Sequence, residues 1–128
     1  MRRFQSIRAL VVLGVMLALA ACATSGSFTQ NTYRAMSAAA STYDASMRSL
    51  ADLYDRGIVG DAEKEKAILY GGYFWAAYQT TAEAMVAYME GGSATDQERV
   101  TRAMVLLSEA LGKFMEIVQP MLQKEGEA

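Results

Sequence analysis

The residues able to carry chemistry in this chain are few. It contains no histidine, so the commonest general base and the commonest transition-metal ligand are both missing. Its single cysteine, Cys22, leaves no internal disulfide and no second thiol for a metal cage. Glu63-Lys64-Glu65-Lys66 reads as a solvated helix start rather than an acid/base pair. Gly71-Gly72 follow no strand and lack the spacing of a phosphate or dinucleotide loop, so close helix packing or a bend is the better reading. A helical di-iron centre would need inward-facing Glu and Glu-x-x-His, which this sequence does not supply. No catalytic residues, no metal ligands and no dissociable cofactor are therefore expected, and an enzyme is not. The chemistry that remains is that of one thiol.

Cys22 follows a characteristic leader. Arg2, Arg3 and Arg8 make the first eight residues basic, and Ala9 to Leu19 is an unbroken run of apolar residues and Gly. Small residues then lead directly into the cysteine. This is the layout of an export signal. The apolar run would span only about half of a bilayer's hydrocarbon core as a helix, so cleavage is expected rather than a permanent span. Leu19, Ala20, Ala21 and Cys22 resemble the lipobox of bacterial lipoprotein precursors. That resemblance covers residues 1–22 and implies a processing class, not a fold. It implies that the thiol of Cys22 is joined to diacylglycerol, that signal peptidase II cuts before it, and that the new N-terminus is acylated. Phe4 directly after Arg2-Arg3 departs from the twin-arginine pattern, so the general secretory route is expected. Each buried methylene contributes about 0.8 kcal/mol, so two or three acyl chains would hold the protein at a membrane surface essentially without release. Ala23, in place of Asp, implies sorting to the outer membrane, facing the periplasm, in a Gram-negative host.

The elements that such an anchor would carry follow from the periodicity. Apolar residues make up 52% of the chain, charged residues 20%, and there is one proline, which points to a folded domain. After a signal peptide over 1–21 and a tether over 22–27, whose reach is at most about 20 Å, apolar positions step by threes and fours. A first stripe runs through Tyr33, Met36, Ala40, Tyr43, Met47, Leu50 and Tyr54 and stops at Gly57, a candidate left-handed cap beyond which Ile58 is expected to fold back on Leu53. Asp61 is then expected to cap the second helix. That helix carries two greasy stripes, one through Ile68, Gly71, Trp75, Tyr78, Ala82, Met85 and Met89, the other through Tyr70, Phe74, Ala77, Ala84 and Tyr88. After Gly91-Gly92, Thr95 to Glu98 reads as a capping box for the third helix, striped by Val100, Met104, Leu107, Leu111, Phe114, Val118 and Met121. Glu98–Arg102 and Glu109–Lys113 are spaced to pair on its outer face. Connections of about four residues make neighbours antiparallel. The predicted fold is all-α, an up-down-up antiparallel three-helix bundle over 28–125 with a loose tail over 126–128. A hairpin centred near residue 59 sets Gly71 opposite Met47, Ala82 opposite Met36 and Ala40 opposite Tyr78. Pro120 is expected to kink or fray the last turns.

From Cys22 onward nine basic residues face 14 acidic ones, a balance of −5 with no basic stripe, which disfavours nucleic acid and adsorption to anionic lipid. Tyr33, Tyr43, Tyr54, Trp75, Tyr78 and most methionines fall on the stripes and are expected to pack the core. Leu69 and Tyr73 do not. With Ala76, Thr80 and Ala87 they lie on the outward side of the second helix, where Ala67 to Ala82 carries no charge over 16 residues, a candidate docking surface. The expected function is a membrane-anchored, non-enzymatic interaction module of the cell envelope. Its expected partner is another envelope protein or a copy of itself. The alternatives are a carrier of a small hydrophobic ligand between the helices, or a structural or phage-encoded surface factor.

Overall fold

A computed structural model describes residues 27–127, with the side chain of Glu127 left aside. Leu19, Ala20, Ala21 and Cys22 lie outside the described residues. Three long helices make up almost all of this span: α1 (Phe28–Asp55), α2 (Asp61–Gly91) and α3 (Ala94–Leu122), followed by a short 3-10 helix (Gln123–Glu127). The chain divides into two compact units, Met1–Ser37 and Ala38–Ala128. In the first, Ser27 opens α1: its Oγ accepts from the Gln30 N–H at 3.2 Å and its carbonyl from the Asn31 N–H at 3.1 Å. Met36 is buried there and Tyr33 is exposed.

The second unit is an antiparallel three-helix bundle made of the Ala38–Asp55 part of α1, α2 and α3. Its register is marked by contacts along the helices. Tyr54 at the end of α1 donates to Asp61 at the start of α2 (2.8 Å), and Glu63 near that start pairs with Lys124 just past the end of α3. At mid-height an aromatic cluster fills the axis. The Tyr43 ring stacks on Phe74 with centroids 4.8 Å apart and tilts against Phe114 at 4.9 Å, and both phenylalanines are fully buried. Helices α2 and α3 pack closely because small residues meet there. Buried Ala84 and Ala103 allow it, and Thr81 lies between them with its hydroxyl donating to Ala77 O at 2.8 Å and 3.3 Å from Ala103 O. Among the described residues every buried side-chain N or O has a hydrogen-bond partner.

The turns depart in detail from what the sequence predicts. Gly57 does adopt the left-handed conformation, φ 71°, and completes a Schellman motif. Ile58 N–H donates to Leu53 O at 2.9 Å and Gly57 N–H to Tyr54 O at 3.0 Å. The side chains that bury are Leu53 and Val59, not Ile58, because the next residue is the one that turns back under the bundle. Gly60, not Asp61, is the N-cap of α2; its N–H is met by the Glu63 carboxylate at 3.4 Å, which frees Asp61 for Tyr54. Ser93, not Thr95, caps α3, accepting from Asp96 N–H at 3.1 Å while its hydroxyl donates to the Asp96 carboxylate at 2.8 Å. Helix α3 runs through Pro120 to Leu122 before tightening to 3-10 geometry. That end is held by Lys124 to Glu63 and by Glu125 to Arg56.

Gly71 faces Tyr43, not Met47. The pairing is therefore displaced by one helical turn along α1, and the midpoint of the Gly71–Tyr43 pair falls at residue 57 rather than near residue 59. The core of α2 also differs from either predicted stripe. Its buried line, Ala67, Gly71, Phe74, Thr81, Ala84 and Met85, runs between the two and borrows from both. Ile68, Trp75 and Met89 are left exposed at its edge. On α3 the predicted stripe is buried throughout, Leu111 partly. Glu98 and Arg102 pair as expected, whereas Glu109 and Lys113 do not come within 4 Å.

Candidate functional site: the uncharged face of α2

Helix α2 has to satisfy two neighbours, and its buried line is already centred between them. What lies opposite that line is surface by construction. Leu69 and Tyr73, one turn apart, occupy this opposite face with 52% and 57% of their surface exposed. Ala76 and Thr80 continue it, both exposed, and Ala87 ends it partly covered. Leu69 and Tyr73 belong to neither predicted stripe, and the packing leaves both exposed. Tyr73 is not loose. Its ring meets Tyr70 edge-on with centroids 5.8 Å apart, and that contact restricts the side chain before any partner arrives. Thr80 donates back to Ala76 O at 3.0 Å, so its hydroxyl is satisfied within the helix. The face thus offers apolar area and few unmet polar groups.

Its flanks were not legible in the sequence. On one side Leu106 of α3, 56% exposed, lines an open groove of about 300 Å³ together with Thr80, Glu83, Arg99 and Arg102. Leu106 falls just beside the α3 stripe, and only the packing of α2 against α3 reveals that it extends the α2 face. On the other side Ile68, Trp75 and Val86 form a separate exposed edge. Trp75 is held there by edge-on contacts to Tyr43 (5.4 Å) and Tyr78 (5.2 Å). Ile68 lines a second, smaller groove of about 160 Å³ between α1 and α2 with Met47, Leu50, Tyr54, Val59 and Lys64. The Lys64 ammonium sits 4.2 Å from the centre of the Tyr54 ring over that groove. Both grooves are open to solvent, and the smaller is below the roughly 300 Å³ at which small-molecule sites begin.

Two titrating groups stand apart from this face. The hydrogen bonds from Lys124 hold the Glu63 carboxyl below its ordinary range, burial opposing and the Gly60 N–H assisting. Hydrogen bonds to Asp52 and then Glu125 raise the Arg56 guanidinium. Both belong to the closure of one end of the bundle. Among the described residues no three of His, Cys, Asp and Glu gather as a metal cage, and no helix is long and apolar enough to cross a membrane. Comparison of the chain with known protein families, curated proteins and solved structures finds no match.

Proposed function

We propose that this protein is a lipid-anchored, non-enzymatic interaction module of the cell envelope, tethered through Cys22 and presenting the uncharged face of α2 to a protein partner. The observation that carries the second half is the pairing of Leu69 and Tyr73, each more than half exposed, on a face with no charged residue from Ala67 to Ala82. In a domain with an acidic excess a soluble helix face would ordinarily hold charges, and an apolar one is a surface for which burial is favourable. As each is already about half covered, burying Leu69 and Tyr73 against a partner contributes roughly 1 kcal/mol each before the cost of association. The anchor rests on the spacing of basic start, apolar run and Leu19-Ala20-Ala21-Cys22. In a Gram-negative host, Ala23 supports an outer-membrane address facing the periplasm.

One experiment separates the two halves. Cells fed a clickable fatty acid should incorporate it into the wild-type chain and not into Cys22→Ser, which should accumulate as the longer, uncut precursor. An unmodified sulfhydryl on mature wild-type protein would refute the anchor. Leu69→Asp should leave folding intact, since it faces solvent, but abolish photocrosslinking from position 73. Equal adduct yields with and without that change would refute the docking face.

A further inference from the structure

The exposed face of α2 is arranged symmetrically about its own midpoint. Tyr73 and Ala76 flank that midpoint, and equal steps outward reach Leu69 and Thr80, then Lys66 and Glu83, then Ala62 and Ala87. All eight residues fall on one side of the helix, spaced by threes and fours, and all but Ala87 are exposed. If α2 lies antiparallel against the α2 of a second copy, each position meets its mirror position. Tyr73 then meets Ala76, large against small, at the two-fold axis. Leu69 meets Thr80 on either side of it, and Lys66 meets Glu83 at each end. A face that pairs bulk with space and cation with anion under its own two-fold is what an isologous interface requires.

From these observations we infer that the partner of this face is a second copy of the chain, joined through antiparallel α2 helices about a two-fold axis between Tyr73 and Ala76. This inference rests on the reading of the α2 face as a docking surface and names its occupant. Charge argues for the same occupant. Two copies of a domain with net −5 from Cys22 onward repel each other across most orientations, and the contact that avoids repulsion is one made through an uncharged strip closed by opposite charges. Lys66 and Glu83 are available for this role: both are exposed, and neither makes an ion pair among the described residues. Glu83 shares its groove with Arg99 and Arg102 without pairing to either, and Arg102 is taken by Glu98. The contact line from Ala62 to Ala87 is about 37 Å long. Leu106 beside Thr80 widens it, supplying the flanking area that a single helix face lacks.

The test uses the full-length chain in its membrane, with a photocrosslinking amino acid at position 73. The expected product has twice the protomer mass and contains this chain alone. Lys66→Glu and Glu83→Lys should each lower the yield of that product by about fivefold, since each creates like-charge contacts at both ends. The double variant, which swaps the charges, should restore it to within about twofold. That rescue cannot arise within one chain, because the two residues are about 25 Å apart along a single helix. Both positions are exposed and make no ion pair among the described residues, so helical circular dichroism should not change in any of the three variants. A self-adduct that the double swap fails to rescue overturns the antiparallel pairing. An adduct with a different protein and none with itself overturns self-pairing while leaving the docking face in place. The absence of any adduct overturns both.

Discussion

Gly71 and Gly112 both sit inside helices, where a glycine costs about 1 kcal/mol against alanine, yet they ask opposite things of their surroundings. A Cβ at Gly71 would stand 2.7 Å from Tyr43 Oη and 3.1 Å from a ring carbon, and that ring is wedged between Phe74, Trp75 and Phe114. A Cβ at Gly112 would meet nothing within 4 Å. Gly112→Ala should therefore stabilise the bundle by up to about 1 kcal/mol through propensity alone. Gly71→Ala should destabilise it by about 1 kcal/mol or more, because overpacking an aromatic cluster costs about 1–3 kcal/mol and exceeds the propensity gain. Thermal unfolding of the pair checks the sign, and equal shifts would show that the Tyr43 ring gives way. Glu63 supplies a pH-dependent counterpart. Its folded carboxyl titrates below its unfolded range because Lys124 donates to it, so its contribution is complete above about pH 4.3 and is lost as pH falls through the folded value. As the pair is partly exposed, Glu63→Gln should cost no more than about 1 kcal/mol near neutrality and almost nothing in strong acid. Urea midpoints of the two proteins that stayed equally far apart down to pH 2 would contradict this account.

The helix ends show how local these choices are. Ser93 Oγ meets an orphan N–H of α3, and Asp96 closes the turn by accepting from the same hydroxyl. Ser93→Ala should cost about 1 kcal/mol, while Thr95→Ala, at the second position of the helix and outside the cap, should stay within about 0.5 kcal/mol in the same thermal melts. The sequence pointed to Thr95 because Thr95-x-x-Glu98 fits the capping pattern as well as Ser93-x-x-Asp96 does; pattern alone cannot choose between two competing boxes two residues apart. The same limit explains α2. On α3 a single stripe from Val100 to Met121 admits one burial direction and was legible in full. On α2 two stripes leave the direction undecided by as much as the angle between them, and packing resolved it through Ala67 and Thr81, which lie on neither. Register depended on the turn centre. Moving the centre from near residue 59 to residue 57 shifts the partner of Gly71 from Met47 to Tyr43, a difference of one turn that no composition signal encodes. The outward face was legible for the converse reason. Leu69 and Tyr73 belong to neither stripe, and a burial direction between the two leaves them more than half exposed.

For the whole molecule, the proposed anchor and the proposed pairing bear on each other energetically. One helix face with two large apolar residues and two exposed ion pairs is a weak interface in free solution, where association must first overcome the loss of translational and rotational freedom. A tether of six residues, reaching at most about 20 Å, would hold every copy in a thin layer at the bilayer, with much of that freedom already removed. Pairing should then follow the surface density of the protein rather than its bulk concentration. Lipidated full-length chain reconstituted in vesicles tests this directly through crosslinking from position 73. Diluting the vesicles tenfold in buffer at fixed protein-to-lipid ratio should leave the yield unchanged. Reconstituting at a tenfold lower protein-to-lipid ratio, with the bulk protein concentration held constant, should lower it several-fold. If yield instead follows bulk concentration and ignores surface density, the copies meet through solution, and the short tether cannot be what makes so small an interface sufficient.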